Sequence, residues 1–329
     1  MLRKLAVSIA TLIALSHSQV VQAEAWFEVE VYVFERQSQS TEQWPDTPIK
    51  TKTDKAIDLI SPAVAQVVTP MESESAPCTL VFDADANSHC AESLNGEPTS
   101  EPVAAAPTSV EYRYPPVIPS EISSATTSYA SANGGPVLLA RSQSQFASII
   151  NSISRERGTR SLLHMAWQQP MRGKSGSVPI RLFAGKDFSD TYHFDGRKIV
   201  TRTQTEPMIN ADGTPVVSPV WELDGTLNIY LSHYLYIETA LNMRKEGRKL
   251  LPAMPSDAAD TSATLTAPKV MTPFLMSVPL EQNRRVKSEE IHYLDHPEMG
   301  MVIQIRKMAQ PSAQQKSQNA ESIQTVGQY

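Results

Sequence analysis

The stretch LDGTLNIYLSHYLYIETAL, residues 223–241, constrains the fold more than any other part of this 329-residue chain. Leu223, Leu227, Ile229, Leu231, Leu235, Ile237 and Leu241 share one parity, and Asn228, Tyr230, Ser232, Tyr234, Tyr236 and Glu238 share the other. Side chains alternate across an extended strand, so a period of two places the leucines on a buried face and the tyrosines on the opposite one. The run is longer than the usual strand of about six residues, so it must bend or continue as two strands in line. Asp224-Gly225 is a tight-turn signal that pairs the run with a strand at 220–223.

Other segments extend the same pattern. WFEVEVYVFER, residues 26–36, sets Phe27, Val29, Val31 and Val33 against Glu28, Glu30 and Tyr32, as expected of a half-buried first strand. SLLHMAWQQP is apolar on both parities until Pro170, which suits a central strand. VPIRLFAG and MGMVIQIRKM supply two more strands, the second with Met299, Met301, Ile303 and Ile305 in phase. One helix stands out. Pro136 suits a first helical position, Leu139, Ser142, Phe146, Ile149, Ile150 and Ile153 follow at helical spacing, and Gly158 closes the segment. The fold class is therefore α+β: a mainly antiparallel sheet with one principal helix packed on it, plus a long disordered insert and tail.

Composition divides the chain. Between Gln37 and Gly135 the residues are mainly Ser, Thr, Pro, Ala and acids, too poor in apolar side chains to build a continuous core. We therefore expect a single domain over 24–308, with a low-complexity insert at about 37–135, a linker at about 252–273 and a disordered tail at 309–329. Residues 1–23 read as a signal peptide: Arg3 and Lys4 precede an apolar stretch at 5–15 that is short for a membrane span, and Val21-Gln22-Ala23 offers small residues before a polar junction. No later segment approaches the roughly 20 apolar residues of a membrane helix. Cleavage after Ala23 removes Arg3 and Lys4 and no acid, so the formal net charge moves from -6 to -8. Such an acidic protein is a poor nucleic-acid partner. An oxidising periplasm also fits a disulfide between Cys78 and Cys90 across a short loop, the wrong spacing for a C-x-x-C redox pair.

Catalytic signatures are missing from the sequence. There is no H-E-x-x-H, no G-x-S-x-G and no Ser followed three residues later by Lys. GKSGS at 173–177 lacks the first glycine of a phosphate loop, position 168 being Gln, and reads as a polar turn. Paired carboxylates for glycan hydrolysis are a tertiary matter, and no pair among 35 acids stands out. His164 and His233 sit in strand patterns as structural histidines, and His193 belongs to a hairpin beside Asp195-Gly196. His292, Asp295 and His296 crowd into five residues, but His296 precedes Pro297, whose ring disfavours the helix that would align them. LDHPEMG is better read as a hairpin connection, with Asp295 capping the turn, than as a metal site. Neither cofactor nor metal is implied. Tyr230, Tyr234 and Tyr236 present rings that suit a sugar or a protein partner, unless the helix covers them.

Taken together, WFEVEVYVFER after a signal peptide, EQWPD, SLLHMAWQQP, ELDGTLNIYLSHYLYIE and NRRVKSEEIHYLDHPEMGMVIQI occur in an order that resembles the CsiV peptidoglycan-binding protein family of gammaproteobacteria. The block Arg284 to Pro297 carries the most specific part of the likeness. The resemblance implies a non-enzymatic periplasmic protein that binds the cell wall. It also implies a role in activating a class A penicillin-binding protein together with that synthase's outer-membrane lipoprotein activator. Arg284, Arg285 and Lys287 then become candidates for wall contacts, since cations pair with the carboxylates of peptide stems. The alternative is a wall-modifying hydrolase or a metal-dependent periplasmic enzyme.

Overall fold

In a computed structural model, the described residues are 25–37, 53–68, 80–82, 88–90, 111–131, 134–199, 218–252 and 268–311. The strands are β1 (Ala25–Arg36), β2 (Gln66–Val68), β3 (Leu80–Phe82), β4 (Ser88–Cys90), β5 (Glu111–Arg113), β6 (Val117–Ile118), β7 (Glu121–Ile122) and β8 (Val137–Leu138). They continue with β9 (Thr159–Met171), β10 (Ile180–Asp187), β11 (Trp221–Leu231), β12 (Leu235–Pro252), β13 (Lys269–Val286), β14 (Ile291–Asp295) and β15 (Met299–Lys307). Two α-helices are described, α1 (Ser61–Val64) and α2 (Ala147–Ile153), with a short 3-10 turn at Arg141–Gln143 before the second. The first sheet runs β14-β15-β1-β9-β7 with β8 also on β9, and the second runs β13-β12-β11-β10-β6. The pairings are antiparallel apart from β7 on β9 and a few isolated bridges. The class is thus α+β, mainly antiparallel sheet with a small helix.

The two sheets share one core, and parity explains which residues enter it. Val29, Val31 and Val33 of β1, Met165 and Trp167 of β9, and Met301, Ile303 and Ile305 of β15 face Leu182, Leu223, Leu227, Ile237, Leu241 and Leu280 of the second sheet. The run at 223–241 divides into β11 and β12 around a three-residue connection, which keeps odd positions on one face: Leu231 opposes Leu235, and Ile229 opposes Ile237. Asp224-Gly225 is therefore not a turn but lies inside β11. Its glycine answers to crowding, because a Cβ at Gly225 would lie 2.1 Å from the Ala240 carbonyl oxygen. Beyond Met243, β12 pairs with β13 alone among the described strands, forming a two-stranded ribbon with alternating exposure.

β1 is buried on both faces rather than half-buried. Glu30, Tyr32 and Phe34 point away from the shared core, yet residues 144–153 cover them: Phe146, Ile149, Ile150 and Ile153 pack on Tyr32, Phe34 and Val302. The helix is shorter than its spacing predicts and begins at Ala147, eleven residues after Pro136. Val137 and Leu138 instead pair with Gln168 and Trp167 as β8. The Glu30 carboxylate accepts hydrogen bonds from the backbone N–H groups of Gln145 and Phe146, fixing the entry to α2 with an acid where helix N-termini favour one.

Parts of the stretch 37–135 belong to the core, contrary to its composition. Ile60, Ile118 and Ile122 are buried in the shared cluster. β6 pairs with β10 in the second sheet, and β7 pairs with β9 in the first. The few apolar residues suffice because Ile118 and Ile122 fill edge-strand positions of the sandwich and Ile60 sits at the start of α1. Likewise the expected linker is partly strand, since β12 runs to Pro252 and β13 begins at Lys269. Gln310, in the expected tail, accepts a hydrogen bond from the Trp26 backbone N–H at 2.8 Å. The signal-peptide expectation at 1–23 falls outside the described residues.

Candidate functional site

The even positions of β11 and β12 form the outer face of the second sheet, since the odd ones are spent on the core. α2 covers the other sheet, so the tyrosines are not its binding surface. Tyr230 and Tyr236 are cross-strand partners whose rings stack at 5.2 Å and 11°. Tyr230 is buried beneath its neighbours, with the Lys174 ammonium 5.4 Å from its ring centroid. Tyr234 sits on the β11–β12 connection, 53% exposed, with the Arg285 guanidinium 4.5 Å from its ring. Arg285 is also the cross-strand neighbour of Tyr236. Tyr230, Tyr234, Tyr236 and Arg285 thus meet at one corner of the sheet. Tyr230 is its base rather than a free platform, because Tyr236 and Lys174 both occupy its ring.

Two residues further along the strands, on the same face, lies a polar cluster. Glu238 accepts hydrogen bonds from Asn283 Nδ2 at 3.0 Å and Asn228 Nδ2 at 3.4 Å, and pairs with Lys174 at 3.2 Å. Glu238 beside it holds the Lys174 ammonium above its ordinary range. Asn228 Oδ1 is buried without a hydrogen-bond partner in the structure. The exposed Tyr234 ring and the half-buried Tyr236 ring, beside a row of amide and carboxylate groups, can stack on the apolar face of a sugar and bond its hydroxyls. The sequence reading missed Lys174, Asn228, Glu238 and Asn283. The signal for Asn228 and Glu238 was present, since both share the tyrosine parity; Lys174 arrives from the 173–177 turn and had no local signal.

The remaining candidates do not converge there. Arg284 points from the opposite parity toward β14 and donates to the Tyr293 carbonyl at 3.0 Å. Lys287 pairs with Glu290 at 3.2 Å in the turn before β14. Cys78 lies outside the described residues, as does the side chain of Cys90, so the proposed disulfide does too. His296 and Pro297 do lie in a hairpin connection, between β14 and β15. The capping residue differs from expectation: His296 Nδ1 accepts the Glu298 N–H at 3.2 Å, while Asp295 faces outward to Arg36 at 2.8 Å and the Tyr293 hydroxyl at 2.9 Å. His292 Nε2 contacts the Lys287 backbone. His233, expected in a strand, lies in the connection between β11 and β12, whereas His164 lies in β9 and contacts Glu30 at 3.0 Å. The described residues contain no group of three His, Cys, Asp or Glu side chains arranged to hold a metal.

A shallow cleft of about 130 Å3 opens on the other side of the 173–177 turn, lined by Ile57, Pro136, Gln169, Arg172, Val178 and Ile229. It is small against the several hundred Å3 of ordinary ligand pockets, so the exposed sheet face is the stronger candidate. No described helix is long and apolar enough to cross a membrane. No curated protein and no solved structure matches the chain. A family model described as "Peptidoglycan-binding protein, CsiV" matches residues 4–308, nearly the whole length. By that match the chain belongs to the CsiV family of peptidoglycan-binding proteins.

Proposed function

We propose that the mature protein is a periplasmic, non-catalytic peptidoglycan-binding protein that holds the wall on the outer face of its second sheet. It supports a class A penicillin-binding protein together with that enzyme's outer-membrane lipoprotein activator. The observation that carries the reading is the family match over residues 4–308. The corner built from Tyr234, Tyr236 and Arg285 beside Glu238 and Asn283 gives it a surface suited to sugars with charged peptide stems. Arg284 and Lys287 flank that corner as secondary contacts, and Cys78 and Cys90 form a disulfide that staples the segment between them. The test incubates the purified mature protein with wall sacculi and analyses both pellet and supernatant. Pelleting with an unchanged fragment profile is expected, whereas release of soluble muropeptides would make the protein a hydrolase. Glycan polymerisation by the synthase should rise further when the protein is added to synthase plus activator. An unchanged rate would remove the regulatory role.

A further inference from the structure

On the same outer face, three same-face positions nearer the start of β11, the structure holds a buried charged cluster whose hydrogen-bonding capacity the fold uses only in part. Arg244 is 2% exposed. Its Nη1 donates to the Trp221 carbonyl at 2.7 Å and lies 3.9 Å from Asp224 Oδ2. Its Nε and Nη2 are buried and make no hydrogen bond in the structure. Arg181 completes the group, with Nη2 3.6 Å from Asp224 Oδ1 and a buried Nε that is likewise unpartnered. Asp224 Oδ1 also lacks a hydrogen bond.

We propose that Arg244, with Arg181 and Asp224, forms a binding site for a carboxylate group. Nε and Nη2 are the two nitrogens whose N–H bonds run parallel along one edge of a guanidinium, the fork that a carboxylate meets with both oxygens. That edge is the unpartnered one. Two arginines and one aspartate leave one positive charge around the buried Arg244 guanidinium, and one carboxylate cancels it. Asp224 selects against a phosphate dianion, because a second negative charge would stand beside its own carboxylate. Phe194, on the turn from His193 to Gly196, lies with its ring 4.9 Å from the Arg244 guanidinium carbon. That ring packs against the guanidinium, whose unpartnered edge is buried. Thr226, Asn228 and Tyr230 continue the row along β11 toward the tyrosine corner, about 20 Å away. The site does not depend on wall binding, although a stem-peptide carboxylate would be its ligand under that reading.

The test follows the Arg244 Nε–H resonance by 15N NMR of the full mature chain, titrated with an N-acetylated dipeptide, its C-terminal amide and inorganic phosphate. The free acid should give a saturable shift, and the amide and phosphate should bind at least about tenfold more weakly. Arg244→Met removes the buried charge at similar volume, so it should unfold cooperatively and lose the shifts that the acid induces in the backbone amides of Trp221 and Asp224, which contact Arg244 in the natural protein. If that variant fails to fold, the acid-against-amide comparison on the natural protein still decides. Equal responses to acid and amide, a phosphate response as strong as the acid's, or no saturable shift through the millimolar range would overturn the site. The last outcome would leave the guanidinium edge to buried water. Sacculus pelleting is read separately, so its failure and that of the carboxylate site are distinguishable.

Discussion

Replacing Glu30 by Gln should cost about 3 kcal/mol at neutral pH, and the cost should fade in acid. Glu30 is fully buried at the centre of β1. Its carboxylate accepts from Ser144 Oγ at 2.6 Å, the Phe146 N–H at 2.9 Å, the Gln145 N–H at 2.9 Å and Arg306 Nη1 at 2.9 Å, with His164 Nε2 at 3.0 Å. Burial alone would raise its pKa, but the hydrogen bonds from His164, Ser144 and the two backbone groups outweigh burial and hold it at about 2, against an ordinary 4.5. That fall corresponds to about 3 kcal/mol favouring the folded carboxylate. Because the folded value is the lower one, the stabilisation is complete above pH 4.5 and is lost as the pH falls through about 2. Linkage leaves roughly half of it at pH 3. Urea unfolding of the natural protein and of Glu30→Gln, between pH 7 and pH 3, reads this as a midpoint difference that narrows toward acid. A pH-independent difference, or one below about 0.5 kcal/mol at pH 7, would refute the reasoning.

Gly225→Ala should destabilise by about 1–3 kcal/mol, because the new methyl meets the Ala240 carbonyl of the paired strand; thermal unfolding measures it. Asp295→Ala should cost under about 1 kcal/mol, since its bridge to Arg36 is exposed. The same variant should move Tyr293 more clearly: burial and the Asp295 hydrogen bond push its phenol up to about 12, so ultraviolet titration should find it lower in the variant. Phe146→Ala should cost about 3–5 kcal/mol by opening the layer between α2 and the first sheet, seen in denaturant midpoints.

How far the sequence disclosed this arrangement depends on whether the signal was local. Alternation in 223–241 assigned Leu223, Leu227, Ile229, Ile237 and Leu241 to the core, because a period of two survives division into two strands when the connection has three residues. The division itself was hidden: Ser232 to Tyr234 contains neither Gly nor Pro, while Asp224-Gly225 imitated a turn. The helix register of Phe146, Ile149, Ile150 and Ile153 was legible, but its start was set by Glu30, more than a hundred residues away in the chain. Ile118 and Ile122 were lost in a polar background, since two-residue strands carry no period. At the candidate site, Tyr234 and Arg285 were both named from sequence, yet their contact is a cross-strand matter that only the β12–β13 register settles. Arg244 gave no sign at all, since its contact with Asp224 depends on the pairing of β12 with β11.

The most direct test of wall binding on the second sheet compares sacculus pelleting of the mature protein with that of a Tyr234→Ala, Tyr236→Ala, Arg285→Ala variant confirmed to unfold cooperatively. The account predicts that the natural protein pellets, that salt weakens but does not abolish the interaction, and that the variant stays mostly in the supernatant. Equal pelleting of the two proteins would contradict it and move the wall-binding surface elsewhere on the fold.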